Sequence, residues 1–535
     1  MRSTIKIVIL LFFICTSMSG ASFPDMEKYM RQHALIWEQL PMQWNEGAFL
    51  GNGLVGMMVY ADSTLNALVF HLGRPDVTDH RKAPYRKTSI GTEEADKMVD
   101  FCRLDVGKML LFPEGKILSG TFYLDIYNAE LTGHLKTDKG DLTFHAYTPQ
   151  PEEVNIVEVS SGVPYRWKGI PGNPCSPRIR VFPHLKEKLK YKDNPAPVVN
   201  QKDKEGSWVQ SLLAGGDYAT YWKEVPGGKS RSVLYVSTAN EVPASSLSLA
   251  KAMKTVEATQ ITGTKLLKQK TRQWWNAYHE RSFLSIPDKK LENFYFIQMY
   301  KLATCSHPDG PAMDVMGTFF KLSPWPSFWW NLNIQLTYMP IGPANRMEQG
   351  KNFQRLMDEV FPSLVRSIEP CKIGDYTWAL QNYYMYLRYA GADWQDIKQQ
   401  VVPKALDAFA VFDKILCYKE NTWHLTHIES PEYEGFQKYN DSNYGLASLS
   451  WLLQTLIACH DRTSSTHPDY ARWKEILTRL APYPTNENGL MIAANKPLEK
   501  SHRHYSHLLA FYPFRLLHPD VPENRKFLEK SIEHW

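Results

Sequence analysis

Between about residues 116 and 236 the chain alternates apolar and polar side chains in short runs separated by turn residues. The runs 121–127, 142–147, 154–159 and 232–236 are the clearest. A period of two sends successive side chains to opposite faces of a strand, so these runs predict an antiparallel sheet domain, a large β-sandwich. Upstream, Gly51-Asn52-Gly53 reads as a tight turn releasing a strand over 54–60. The stretches 164–183 and 191–203 read as loops or insertions.

Near Ser245 the period changes. Residues 247–275 predict a mostly helical connector interrupted near Gly263, with Leu267 and Trp274 on one face. Helical patterning then continues over 291–305, 333–339, 350–361, 378–390, 394–402, 404–416, 444–459, 470–480 and 507–511. Short links between several of these imply antiparallel neighbours. The reading is an α+β multidomain chain, with a leader over 1–21, an antiparallel β-sandwich over 22–245 and a helical linker over 246–285. An (α/α)6-type helical toroid over 286–535 follows, expected to be incomplete at its C-terminal end. Loops meeting at the centre of such a toroid are where a substrate would sit.

Composition narrows the partners more than the fold. Charged residues make up 22% and the formal net charge is only +5, without a long basic run, which argues against nucleic acid. The 16 tryptophans and 28 tyrosines suit stacking on sugar rings, although core packing accounts for most such rings. Arg2 and Lys6, the apolar run 7–15 and the small residues 16–22 have the order of a secretory leader. Cleavage near Ala21 and export to the periplasm or beyond the cell are expected, with no membrane span. Cys102, Cys175, Cys305, Cys371, Cys417 and Cys459 show neither Cys-x-x-Cys nor zinc-like spacing, so buried free thiols are expected.

The chemistry concentrates in two places. Trp329-Trp330-Asn331-Leu332-Asn333 sets two carboxamides two residues apart in an aromatic run. Amides cannot carry a proton at neutral pH, but they can orient a water or a sugar hydroxyl. The same asparagines could instead cap the helix that follows. Glu429-Ser430-Pro431-Glu432-Tyr433-Glu434 clusters carboxyl groups around a turn, and Glu432 is the candidate general acid; a solvated acidic turn is the plainer alternative. Trp329 and Trp330 could line a sugar site or fill a core. His502, His504 and His507 could suggest zinc, yet no neighbouring carboxylate or cysteine completes a ligand set, so sugar-binding or structural hydrogen bonds are expected and no metal.

In order along the chain, these motifs resemble glycoside hydrolase family 95, which includes α-L-fucosidases and α-L-galactosidases. The resemblance rests on Gly51-Asn52-Gly53-Leu54-Val55-Gly56, on 301–308, on 315–320, on Asn331-Leu332-Asn333, on Ser430-Pro431-Glu432 and on His502-Arg503-His504-Tyr505-Ser506-His507-Leu508. It implies that Asn331 and Asn333 hold the hydrolytic water, that Glu432 is the general acid, and that no cofactor is needed. An exported hydrolase removing a terminal α-linked fucose or related sugar with inversion is the expectation. Two departures stand out. The segment Leu72 to Arg81 replaces an acidic Asn-Glu segment, and the family's water-activating aspartate is expected beyond Trp535, leaving only Asp375 and Asp441 as substitutes. A non-catalytic carbohydrate-binding relative is therefore the first rival, and a phosphorylase on the same toroid the second.

Overall fold

The computed structural model describes residues 25–81, 102–228, 230–242, 247–435 and 437–535, and the expected leader lies outside them. Two antiparallel sheets face each other. The larger has nine strands in the order Leu35–Trp37, Ile117–Asp125, Glu130–Thr137, Asp141–Tyr147, Val154–Ser161, Arg231–Glu241, Asp217–Pro226, Glu205–Ser211 and Val198–Gln201. The smaller has five, in the order Tyr165–Ile170, Lys108–Pro113, Ala67–Gly73, Gly56–Asp62 and Ala48–Gly51. Phe122, Leu124, Leu142 and Phe144 of the first share one buried core with Val59, Leu68, Phe70 and Met109 of the second. Alternation along each strand thus becomes one sealed face and one outer face.

The two stretches read as loops hold more order than their sequence suggests. Tyr165–Ile170 is an edge strand in which exposed Arg166 and Lys168 alternate with buried Trp167 and Gly169. Val198–Gln201 is exposed along its whole length, so no inward pattern marks it.

Numbering helices from the change of period onward, α1 is Ser248–Thr262, α2 Thr264–His279, α3 Lys289–Cys305, α4 Asn333–Tyr338, α5 Lys351–Glu359 and α6 Phe361–Ser367. Then come α7 Ile373–Tyr389, α8 Trp394–Gln400, α9 Val402–Phe412, α10 Asn443–Thr463, α11 Tyr470–Thr478 and α12 Pro522–His534. Gly263, at φ +80°, separates α1 from α2, and both cover the outer face of the nine-stranded sheet through Ala252, Val256 and Leu267. The remainder forms a helical domain with its own core.

Three expectations shift. Helix α7 starts five residues before position 378, because its first turns are buried on all sides and show no polar face to read. The expected helix 404–416 ends at Phe412 and gives way to a hairpin, Leu416–Lys419 with Thr422–Leu425, turned at Glu420 and Asn421 with φ of 49° and 63°. The expected helix 507–511 is only a 3-10 turn, Ser506–Leu508. The six cysteines among the described residues are free, and Cys417 is exposed and Cys175 half-buried rather than buried. Among the described residues no helix is long and apolar enough to cross a membrane.

The sheet domain grips the loop that carries the aromatic run. Gly53 N donates to Thr304 O at 2.9 Å at the end of α3. Its φ is +81°, and a Cβ there would lie 2.3 Å from the Ser306 carbonyl carbon, so only glycine fits. The buried Arg103 guanidinium donates to Asp314 Oδ2 at 3.1 Å and to Gly317 O at 2.5 Å. Its backbone N–H reaches Pro326 O at 2.6 Å.

Candidate active site

The first turns of α7 touch the aromatic run, α4, α10 and the histidine segment. Tyr376 packs on Trp330 with ring centroids 5.5 Å apart, and the Asp375 carbonyl accepts Gln335 Nε2 from α4 at 2.9 Å. Tyr444, in the first turn of α10, donates to Asp375 Oδ1 at 2.5 Å. Trp378 meets Tyr505 edge-on at 6.4 Å. Because α7 and α10 are buried almost throughout their first three turns, their N-terminal ends converge inside the helical domain rather than on its surface. Helix N-termini carry partial positive charge and suit oxygen-rich ligands.

Asn331 and Leu332 both lie at positive φ, 63° and 54°. Asparagine tolerates that region, but leucine does so at a cost of about 1–3 kcal/mol, the kind of strain that clusters at functional sites. Neither asparagine caps α4, whose N-cap is Leu332 with no side-chain hydrogen bond. The Asn331 Oδ1 atom is buried without a partner, while Asn333 is exposed at the first helical position. The capping role is thereby removed, and two uncommitted amides remain. Trp330 is core; Trp329 is half-buried and leans on the exposed Trp325 at 5.0 Å.

The Ser-Pro-Glu segment and the His-Arg-His segment come together directly. Ser430 and Ser506, both buried, share a hydroxyl–hydroxyl bond of 2.7 Å. Two residues on, Glu432 Oε2 accepts from Arg503 Nη2 and lies 3.3 Å from His504 Nε2. His502 stacks on His504 at 5.1 Å. Burial lowers the His504 pKa, and the Glu432 carboxyl beside it works in the opposite direction. His507 is sealed in, with neither ring nitrogen bonded, and burial pushes its pKa down to about 4.

The three glutamates of this turn part company. Glu434 is exposed and paired with Lys496, whereas Glu429 is buried against the Cys371 thiol at 3.5 Å, and burial raises its pKa. Only Glu432 combines partial exposure, at 22% of its side chain, with the histidine segment. The structure joins Glu432 to Arg503 and His504, with His502 stacked on His504, while the amide run packs on α7 through Trp330 and Gln335; no hydrogen bond links the amides to Glu432 among the described residues.

Asp441 is spent on the fold, taking His424 Nδ1 at 2.7 Å and Leu425 N at 2.8 Å. Asp375 stands on the turn that Gln335 contacts. No group of three metal-ligating side chains gathers among the described residues. Arg74, in the segment that departs from the family pattern, is buried in ion pairs with Asp76 at 2.7 Å and Glu153 at 2.5 Å. Gln335, Tyr444 and Arg503 join the site without having been singled out.

Residues 370–534 match the glycosyl hydrolase family 95 catalytic domain, which takes in α7, Glu432 and the three histidines. No curated protein matches the chain. Among solved structures, one described as a kojibiose phosphorylase from the human microbiome is similar with a TM-score of 0.57 and 9% identity, over 83% of this chain and 67% of that one. A bacterial glucoamylase complexed with acarbose is matched over 83% of this chain and 69% of its own, at 9% identity and a TM-score of 0.43. At that identity the first likeness concerns the fold alone: a β-sandwich followed by an (α/α) helical domain.

Proposed function

We propose that the protein hydrolyses a terminal α-linked fucose or related sugar with inversion, as an exported enzyme. The observation that carries the reading is the Ser430–Ser506 contact, which sets Glu432 against His504 inside the segment matching the family 95 catalytic domain. Glu432 protonates the departing glycosidic oxygen while a water held by Asn331 and Asn333 attacks the anomeric carbon from the other face. Asp375, on the amide side of α7, takes the proton that the water loses. The charged, apolar and small-residue order of the sequence over 1–22 supports export, and the uncommitted Asn331 amide supports a bound water.

The decisive experiment compares leaving groups. Glu432→Gln should lower turnover of an α-linked oligosaccharide by about 10²- to 10⁴-fold, the usual worth of a general acid. The same variant should lose far less on a nitrophenyl glycoside, whose leaving group needs no proton. Equal losses on both substrates would remove Glu432 from the acid role. A second reading, sugar binding without turnover, draws on the Arg503–Glu432 ion pair, which engages one of the two carboxyl oxygens of Glu432. Wild-type protein that binds the sugar yet turns over neither substrate would decide for it.

A further inference from the structure

A cavity of about 960 Å³ opens between the outer face of the nine-stranded sheet and α2, in the domain that the proposed hydrolysis leaves unused. Ligand pockets commonly span about 300–1,000 Å³, so its size suits several sugar rings. Strand register builds its floor in rows. His145 stands between Thr132 and Glu158, and Thr143 stands between His134 and Ser160, with Arg231 next in line. The side chains of α2 form the opposite wall, where Lys265, Lys268 and Arg272 supply the charge.

The charge balance on this floor is uneven. Glu130 accepts Arg272 through bonds of 2.5 and 2.7 Å and pairs with His145 at 2.9 Å. Glu158 accepts Lys268 at 2.8 Å. Both carboxylates are thereby committed, while Arg231 and Lys265 have no anionic partner among the described residues. Two further atoms, His145 Nδ1 and Glu158 Oε1, are buried without a hydrogen-bond partner, and His145 Nδ1 lies 3.8 Å from Glu158 Oε2. Phe144, the one Phe, Tyr or Trp in the lining, is only 1% exposed, and the other rings there are the imidazoles of His134 and His145.

We propose that this cavity is a second glycan site that binds an acidic oligosaccharide, with Arg231 and Lys265 taking its carboxylate or sulfate groups and the Thr132, Thr143 and Ser160 hydroxyls taking ring hydroxyls. Binding here holds a charged glycan on the sheet domain, apart from any cleavage in the helical domain.

Calorimetric titration of the full chain tests this with three probes of equal length: an oligogalacturonate, a sulfated oligosaccharide and a neutral maltooligosaccharide. One or both acidic probes should bind, more weakly as salt rises, and the neutral probe should not. Arg231→Glu and Lys265→Glu should each weaken binding at least tenfold, while Lys414→Glu, an exposed change on the helical domain, should leave it intact. Aryl-glycoside turnover should be the same in all three variants, so failure at this site is separable from failure of the hydrolase reading. Equal affinity for the neutral probe, absence of binding by both acidic probes, tighter binding of a uridine oligonucleotide of matching charge, or an equal loss in Lys414→Glu would overturn the proposal.

Discussion

Removing either hydroxyl of the Ser430–Ser506 pair tests whether the two candidate segments dock as described. The bond is 2.7 Å long and its partners are 0% and 2% exposed, so neither hydroxyl can turn to water once the other is gone. A buried hydrogen bond contributes about 0.5–1.5 kcal/mol net, and an orphaned buried hydroxyl costs about 1–3 kcal/mol. Ser430→Ala and Ser506→Ala should therefore each destabilise the helical domain by about 1–3 kcal/mol. The double variant leaves no orphan, so its loss should fall short of the sum by about 1 kcal/mol or more. Urea unfolding of all four proteins, followed by circular dichroism at 222 nm, where the helices dominate, gives that coupling. Because Glu432 lies two residues beyond Ser430, both single variants should also lose activity through its misplacement. Losses that add to within about 0.3 kcal/mol would show the two hydroxyls to be independent, and the docking argument would fall.

Acid should release α2 from the sheet. Burial works to raise the Glu130 pKa, but the bonds from His145 and Arg272 outweigh it and bring it from 4.5 to about 2. The stabilisation is thus full above about 4.5, fades as pH falls through about 2, and amounts to at most about 3 kcal/mol. Glu130→Gln should flatten stability across that window in an acid titration; an unchanged titration would contradict it. His507 has the same sign by a different route: neutral when buried, it favours the fold fully above about 6.5 and opposes it increasingly as pH falls toward about 4. His507→Leu should accordingly gain about 2 kcal/mol over wild type at pH 5 and little at pH 8. A drop of more than tenfold in kcat/KM with the fold intact would mean instead that this ring reaches substrate. Asp375→Asn should abolish turnover on both leaving groups while Asp441→Asn lowers stability; retained activity in the first variant would remove Asp375 from the base role.

Much of the candidate site is legible in the sequence because its parts are short and local. The paired amides, the Ser-Pro-Glu turn and the histidine run can each be read from residue type and spacing alone. What each residue is free to do could not be read that way. Asn331 and Asn333 look like caps until the backbone at Leu332 turns positive and leaves their amides unused. Three glutamates in six residues look alike until packing buries Glu429, exposes Glu434 and gives Glu432 to Arg503 and His504. Asp441 looks like a spare base until His424 claims it.

Period-two alternation and its change near Ser245 determined a sandwich followed by helices, since strand and helix periodicity are properties of neighbouring residues. Helix α7 escaped that rule at its start, where burial on every side leaves no exposed polar face to mark the period. The docking of the Ser-Pro-Glu turn on the histidine segment, and of the aromatic run on α7, was decided only in three dimensions. So was the charged cavity on the sheet, whose floor joins strands far apart in sequence through their register. Spacing along a chain fixes which face a side chain takes, but which distant face it meets depends on how the cores close.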